Sequence, residues 1–165
     1  MISWQPPPRG WASLNTDGSV IQTPESTAAG GVIRDEDGRL LRAFTMNLGG
    51  GSITKAEIAG ITHGLQIAWD MGLKKVQVQT DSKIAMQLLQ EANSSNPHHC
   101  LIAAARRLLA RDWQVEIIHV YREGNVVADF LASLGHSRGV GLHVLNHPNA
   151  SLNYWLSCWG SKHPV

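Results

Sequence analysis

The sequence has few cysteines and lacks both a long hydrophobic run and a recognisable N-terminal signal segment. Its two cysteines, Cys100 and Cys158, lie far apart, which argues against a disulfide framework and against a paired-cysteine zinc site. No apolar run approaches the roughly 20 residues that cross a bilayer, because charged residues or glycine interrupt the longest candidates. We therefore expect a protein of the nucleus or the cytoplasm that does not associate with membranes.

The sequence also lacks a strong charge of either sign. Its formal net charge is +1 at pH 7, so composition alone does not indicate a nucleic-acid-binding protein. A nuclease is not excluded, because bound divalent metal ions add positive charge where a phosphate must lie. With 165 residues and a hydrophobic content of 43%, the chain is long enough for one sizeable core. We expect one domain and a monomer.

Proline, glycine and the hydrophobic pattern divide the chain into three segments. Residues 1–10 contain three consecutive prolines, which exclude a helix or a central strand and predict an extended lead-in that tethers the domain. Residues 11–137 carry the alternating and helical patterns of a folded domain. Residues 138–165 contain glycine, asparagine and tryptophan and predict a C-terminal tail that packs on that domain.

The hydrophobic pattern of the domain predicts three antiparallel strands, a helix, a fourth strand, two helices, a fifth strand and a last helix. The first strand is expected from Trp11 to Asp17 and is ended by Gly18. The last helix begins near Asn125, a residue that favours the N-cap, and ends at Gly135.

Four acidic residues fall where strands end or helices begin. Asp17 ends the first strand and Asp81 the fourth, Glu57 lies near the start of the first helix, and Asp129 lies early in the last helix. If the first and fourth strands are neighbours, these positions converge at one edge of the sheet. Clustered carboxylates favour Mg²⁺ or Mn²⁺, which are hard ions that prefer oxygen ligands. Two such ions can promote phosphodiester hydrolysis.

Glu57 and Asp129 differ in how strongly their positions indicate a site. Glu57 shares a helix face with Ile61 and Leu65, so we expect its side chain to point inward. A buried carboxylate costs several kcal/mol unless a charge such as a divalent cation compensates it. Asp129 has an equally good structural explanation, because the helix macrodipole favours an acid near a helix N-terminus.

Four short strings carry a resemblance to a known family. They are Asn15-Thr16-Asp17-Gly18-Ser19, Ala56-Glu57, Thr80-Asp81-Ser82 and Arg122-Glu123-Gly124-Asn125-Val126-Val127-Ala128-Asp129. Together, in this order and spacing, they resemble type 1 ribonuclease H. The chain looks most like the ribonuclease H domains of plant non-LTR retroelement reverse transcriptases, and the resemblance covers nearly all of it.

The resemblance implies an α/β ribonuclease H-like fold, in which helices flank a central mixed five-stranded sheet with the order βββαβαβα. It implies endonucleolytic hydrolysis of the RNA strand of RNA/DNA hybrids with two Mg²⁺ ions, for which Mn²⁺ can substitute. The implied partner is the hybrid. The sequence fits either a free-standing protein or a piece of a polyprotein, and in the second case a reverse transcriptase domain would be a further partner. The implied catalytic acids and metal ligands are Asp17, Glu57, Asp81 and Asp129. The implied hybrid contacts are Gly18, Ser19, Ser82 and Asn125.

The sequence offers two candidates for a catalytic residue that assists the four acids. By resemblance to family members with a short loop before the last aspartate, Arg122 would be this residue, acting through its charge. His119 is the alternative, since histidine is the usual proton shuttle near neutral pH. Strand alternation places His119 with Val115 and Ile117 on a face that we expect to be packed, which favours a structural role. We therefore predict Arg122.

Two other functions remain open from the sequence. A catalytically decayed ribonuclease H-like module would bind nucleic acid or protein, although the retention of all four acids disfavours decay. A related metal nuclease would act on another structured nucleic acid.

Overall fold

A mixed six-stranded sheet forms the centre of the fold. The computed structural model describes residues 3–91 and 96–145. The strands are β1 (Ala12–Gln22), β2 (Glu25–Arg34), β3 (Leu40–Gly49), β4 (Lys75–Thr80), β5 (Gln114–His119) and β6 (Gly141–Leu145). Their spatial order is β5-β4-β1-β2-β3-β6, in which β4 runs parallel to both β1 and β5 and the other pairs are antiparallel. The mixed sheet confirms the predicted α/β fold class.

In the described part of the chain, four α-helices flank this sheet. They are α1 (Ile53–Asp70), α2 (Lys83–Gln90), α3 (His99–Leu109) and α4 (Val126–Leu134). Helices α1, α2 and α3 cover one face, and α4 packs on the opposite face against β1, β2 and β3. Two helices connect β4 to β5, as the hydrophobic pattern predicted and unlike the order βββαβαβα implied by the resemblance. Strand β6 adds a sixth strand where we expected five. No helix in the described ranges is both long enough and apolar enough to cross a membrane.

The sixth strand lies in the segment that we expected to be a tail. It pairs antiparallel with β3, with Val144 opposite Phe44. Gly141 has a φ of +120°, a conformation that glycine adopts without strain, and the alternation after it is too short to stand out in a glycine-rich segment. The rest of the expected tail, residues 146–165, lies outside the described residues.

The first strand does not stop at Gly18, contrary to our expectation. Strand β1 continues to Gln22 and pairs with β2 from Ser13 to Gln22. Gly18 instead allows a close approach of α1, since a Cβ at this position would lie 2.8 Å from the Cβ of Ala56. Asp17 therefore lies inside a strand, where it pairs with Gly30 of β2 and directly follows the last residue of β1 that pairs with β4.

The two faces of the sheet are buried in different ways. The face under α1 is apolar, with Leu14 and Ile33 packed on Ile58, Ile61 and Leu65. The opposite face carries a row of buried polar side chains, in addition to the apolar cluster beneath α4. The members of this row are Ser13, Asn15, Arg34, Gln77 and Gln79.

The lead-in segment, residues 1–10, does more than tether the domain. Its described part forms neither helix nor strand up to Pro8, as the three prolines dictate. However, Trp4 is only 1% exposed, and the Arg34 guanidinium lies 4.0 Å from the centroid of its ring. The expectation of a simple tether is therefore wrong at Trp4, because its side chain packs over the polar row of the sheet.

Gly30 permits α4 to lie close to the sheet. A Cβ on Gly30 would lie 2.4 Å from the backbone nitrogen of Ala132 and 2.5 Å from the carbonyl carbon of Leu131. We expect Gly30→Ala to force α4 outward and to lower the free energy of unfolding, measured by urea denaturation, by about 3 kcal/mol. Gly139→Ala is the control, because its Cβ would meet nothing within 4 Å, and it should change this free energy by less than about 0.5 kcal/mol. Equal stability of the two variants would contradict the close packing of α4.

Candidate active site

The four acidic residues singled out from the sequence line one cleft of about 480 Å³. Asp17 lies in β1, Asp81 directly follows β4, Glu57 lies in α1 and Asp129 lies in α4. Because β1 and β4 are parallel neighbours, with Thr16 opposite Thr80, the two aspartates lie at matching positions of adjacent strands. The expected convergence of these four residues is therefore present in the fold.

Three of the four carboxylates form a compact group. Each of Asp17, Glu57 and Asp81 offers a carboxylate oxygen, and these oxygens all lie within 4.8 Å of one another. Asp129 lines the same cleft but is not part of this group. The arrangement is thus a tight cluster of three acids with a fourth acid beside it.

The cluster is buried enough to oppose its own ionisation. Asp17 is 5% exposed and Glu57 is 7% exposed. Burial, reinforced by the charges of Glu57 and Asp81, raises the pKa of Asp17 to about 9. Burial, reinforced mainly by Asp81, raises the pKa of Glu57 to about 7. Burial also raises the pKa of Asp81, although the positive charge of Arg122 opposes this shift. Without a compensating cation, the folded cluster therefore retains protons.

The carboxylates fit a hard divalent cation. Oε2 of Glu57 is buried and has no hydrogen-bond partner within the described ranges. A buried carboxylate oxygen without a donor is costly. The carboxylate of Asp17 accepts a hydrogen bond from the Gly18 backbone N–H at 2.9 Å. Oxygen ligands of this kind suit Mg²⁺ or Mn²⁺. Asp17, Glu57 and Asp81 could hold such an ion, with Asp129 beside them.

The structure brings both candidate assisting residues to the cleft. Arg122 is exposed in a 3₁₀ turn, Arg122–Gly124, which follows β5. His119, at the end of β5, is half-buried and also lines the cleft, with its ring edge-on to Tyr121 at a centroid distance of 5.6 Å. The expectation that His119 lies on a packed face is wrong, because the end of β5 extends to the cleft, whereas Val115 and Ile117 do pack against the core.

The expected hybrid contacts have different environments. Gly18 and Ser82 line the cleft, and the Ser82 hydroxyl also caps α2 by accepting a hydrogen bond from the Ala85 N–H. The Ser19 hydroxyl lies 2.9 Å from Nε2 of His136. Asn125 does not fit its expected role, because it is 1% exposed and its side-chain amide is used inside the fold. It precedes α4 as expected but makes no side-chain capping bond.

Three exposed apolar residues at the cleft were not identified from the sequence. Ile53, Ile84 and Tyr121 are 47%, 60% and 64% exposed and all line it. Both isoleucines lie in the first turn of a helix, where a helical hydrophobic pattern does not distinguish a rim residue from a core residue. Tyr121 could have been identified as a cleft residue, because it lies just beyond a strand that ends near the acids.

Comparison with known proteins places these residues in a described family. A family model described as reverse transcriptase-like matches residues 15–135. An Arabidopsis thaliana protein, whose name marks it as a candidate ribonuclease H protein, is 38% identical over 144 residues. That alignment covers 87% of this chain, which spans only 23% of the Arabidopsis protein.

Solved structures share the fold. The crystal structure of RNase H1 from the halophilic archaeon Halobacterium salinarum is 26% identical with a TM-score of 0.69, and the match covers 76% of this chain and 96% of that one. The structure of the foamy viral protease-reverse transcriptase in complex with RNA/DNA hybrid is 22% identical with a TM-score of 0.66. That match covers 76% of this chain and 20% of the viral one.

The raised pKa of Asp17 predicts how the metal-free protein responds to pH. The folded protein keeps a proton on Asp17 up to about pH 9, whereas the unfolded chain loses it near its usual pKa of 3.8. Between these values the unfolded state binds fewer protons, so stability falls as pH rises. In EDTA at pH 8, Asp17→Asn should therefore raise the melting temperature by at least about 3 °C, and this gain should shrink towards pH 4.

The same pair of proteins tests whether the cluster binds metal. Millimolar Mg²⁺ should raise the melting temperature of the wild type at pH 8 and should have little effect on Asp17→Asn. A variant that is less stable than the wild type in EDTA would contradict the proposed charge crowding. An equal rise of the two melting temperatures in Mg²⁺ would contradict metal binding by the cluster.

Proposed function

We propose that this chain, which belongs to the reverse transcriptase-like family, hydrolyses the RNA strand of RNA/DNA hybrids endonucleolytically with two divalent metal ions. One observation carries the proposal: three partly buried carboxylates lie within 4.8 Å of one another in a cleft, and one of their oxygens has no donor in the described part of the chain. Such a site needs cations, and the cleft is open to a polymeric substrate. The ribonuclease H names of the similar proteins support the choice of substrate.

Asp17, Glu57, Asp81 and Asp129 would hold the ions, with Mg²⁺ as the physiological metal and Mn²⁺ as a substitute. When bound, the ions supply an activated water and neutralise charge on the scissile phosphate. The four carboxylates would set the position of this positive charge, and the fold contributes by holding them on β1, α1 and α4 and directly after β4. Asp129, which lies outside the compact group but lines the same cleft, would add a fourth carboxylate ligand.

Arg122 would act through its charge. It lines the cleft, and its positive charge already lowers the pKa of Asp81 against the effect of burial. Since a guanidinium keeps its proton near neutral pH, it would stabilise negative charge on the phosphate or assist product release, and would not transfer protons. His119 lines the same cleft and remains the alternative.

The hybrid would be recognised by small groups beside the acids. We propose Gly18, Ser19 and Ser82 as contacts with the hybrid. Asn125 is not one of them, because its side chain is buried. The minor groove of a hybrid exposes 2′-hydroxyls on the RNA strand only. Backbone N–H groups and serine hydroxyls of the protein that hydrogen-bond to them can therefore distinguish the RNA strand from the DNA strand. The net charge of +1 predicts modest affinity for the hybrid. A reverse transcriptase domain in the same polypeptide would supply further contacts, in line with the small share of the Arabidopsis and viral proteins that this chain spans.

A cleavage assay tests this function against its two alternatives. Labelled RNA/DNA hybrid, duplex RNA and duplex DNA are each incubated with the protein in Mg²⁺, Mn²⁺ or EDTA. We expect cleavage of the RNA in the hybrid only, in either metal, and none in EDTA. Cleavage of another duplex would indicate a different metal nuclease, and binding without cleavage would indicate a decayed module.

Asp81→Asn should abolish this cleavage. The substitution removes one ligand from the compact group and should lower turnover by at least about 100-fold. The melting temperature in EDTA should stay the same or rise, because charge crowding is relieved. Asp112→Asn is the matched control, since Asp112 is exposed and lies outside the cleft. Undiminished turnover of Asp81→Asn at matched Mg²⁺ would reject the proposed site.

Arg122→Ala and His119→Phe separate the two assisting candidates. Loss of the Arg122 charge should lower turnover by about 10-fold or more. His119→Phe should retain most activity, because an aromatic ring can keep the edge-on contact with Tyr121. If the folded His119→Phe protein is inactive and Arg122→Ala is near wild type, the histidine is the assisting residue.

A further inference from the structure

We propose that Trp4, Asn15 and Asn125 are positioning residues: their side chains form a buried hydrogen-bonded bridge from the lead-in that fixes helix α4, which carries Asp129, against strand β1, which carries Asp17. The proposal deepens the proposed function and rests on it only for the identity of the reaction. It adds the lead-in to the functional unit, although the family match begins at residue 15.

Asn15 is the centre of the bridge. It is fully buried, two residues before Asp17 on the same face of β1. Its Nδ2 donates to Oε1 of Gln79 at 2.8 Å and to Oδ1 of Asn125 at 3.0 Å. Its Oδ1 accepts from Nε1 of Trp4 at 3.0 Å and from Nη2 of Arg34 at 3.3 Å. An asparagine side chain has two donor hydrogens and two main acceptor directions, so the hydrogen bonds of Asn15 fix the orientation of its amide completely.

Asn125 connects this amide to the helix. It immediately precedes α4, and its Nδ2 donates to the backbone carbonyl of Thr16, the residue before Asp17, at 2.8 Å. The backbone carbonyl of Asn125 accepts a hydrogen bond from the backbone N–H of Asp129 at 3.1 Å. Two short connections therefore lead from Asn125, one to the residue next to Asp17 and one to Asp129 itself.

The bridge supplies direction, which the apolar packing of α4 does not. Val127 and Leu131 pack on Val32 and Ala43 of the sheet, and apolar burial is not directional. Such contacts hold the helix against the sheet. Directional amide bonds at its N-terminal end add a constraint on its orientation where Asp129 lies. At the other end of α4, the carbonyl of Leu131 accepts a hydrogen bond from the Thr45 hydroxyl.

Trp4 links the lead-in to the hydrogen-bonded bridge. Its indole N–H gives Asn15 Oδ1 its shorter hydrogen bond, and its ring lies over the guanidinium of Arg34. Arg34 is 1% exposed, and its Nε and Nη1 have no hydrogen-bond partner among residues 3–91 and 96–145. The ring face therefore compensates a buried positive charge.

The lead-in also packs closely against the 3₁₀ turn that precedes α4. A Cβ on Gly124 would lie 3.2 Å from the carbonyl oxygen of Ser3 and 3.9 Å from Cα of Trp4. The backbone that enters α4 and the backbone that carries Trp4 thus lie in contact. A displacement of one segment is transmitted directly to the other.

Trp4→Phe tests the proposal, because it removes the indole donor but keeps an aromatic ring over Arg34. Mn²⁺ affinity is measured by calorimetry, and kcat and KM are measured on the hybrid well below the melting temperature. We expect Mn²⁺ affinity and kcat each to fall about 10-fold, within the range for residues that orient metal ligands, while KM for the hybrid changes less than about twofold.

Trp113→Phe is the matched control. Trp113 also donates its indole N–H, to the carbonyl of Leu108 at 2.8 Å, and packs edge-on against Trp69, away from the cleft. This variant should lose some stability but keep wild-type Mn²⁺ affinity and kcat. If Trp4→Phe behaves in the same way, Trp4 is merely structural and the proposal is wrong.

Asn125→Ala provides a second, independent test of the bridge. It should lower Mn²⁺ affinity and kcat in the same direction, and the double variant with Trp4→Phe should show less than the product of the two effects, because both act through Asn15. Fully multiplicative effects would overturn the bridge. Because Mn²⁺ affinity is read without substrate, a wild type that does not cleave hybrid would refute the proposed function alone. The positioning role would then be judged by calorimetry.

Discussion

The burial of three neighbouring carboxylates, those of Asp17, Glu57 and Asp81, is the constraint around which the fold is arranged, and their mutual repulsion adds to its cost. Their oxygens lie within 4.8 Å of one another in a partly buried cleft, where charges interact more strongly than in water. Left to themselves, three such side chains would separate or retain protons. The fold prevents separation by attaching each carboxylate to a different rigid element, and the resulting stress is relieved when a cation is bound.

Close backbone packing is what makes this attachment rigid. Gly18 brings α1 against β1, since its missing side chain leaves room for Ala56. Gly60, one helical turn after Glu57, lies near the Asp17 carbonyl, from which a Cβ would be 3.4 Å away. These close approaches hold the backbone at Glu57 near Asp17. The parallel pairing of β1 with β4 fixes Asp81 in the same way.

The sequence was sufficient to predict the site where local patterns determine side-chain direction. Helical spacing placed Glu57 inward, because this periodicity is a local property of the chain. The expected end of the fourth strand placed Asp81 correctly, whereas Asp17 lies at the matching position of β1 although that strand continues to Gln22. Contacts between distant segments could not be predicted in this way. Asn15 and Asn125 are 110 residues apart in sequence, and no periodicity indicates that an expected N-cap side chain will instead reach across to a strand.

His119 shows a second limit of the same reasoning. Alternation correctly grouped it with Val115 and Ile117 on one face of β5, but alternation does not say where the layer above that face ends. Val115 and Ile117 lie under the core, whereas His119 lies one step further along the strand and reaches the cleft. The strand direction was therefore predictable, and the environment at the strand end was not.

The difference between the two faces of the sheet explains how a chain of this size can hold such a site. The face under α1 is apolar and well packed, so it supplies stability without specifying fine position. The opposite face buries Arg34 and a row of amides whose hydrogen bonds are directional. Burying these groups gives up some of the stability that apolar side chains would provide, because each must be desolvated. In return, every satisfied amide fixes one relative orientation of β1, β4 and α4. Asp17 and Asp129 lie on this polar face, and Glu57 comes from the helix on the apolar face. The carboxylates therefore meet where the apolar face, which supplies stability, adjoins the polar face, which fixes orientation.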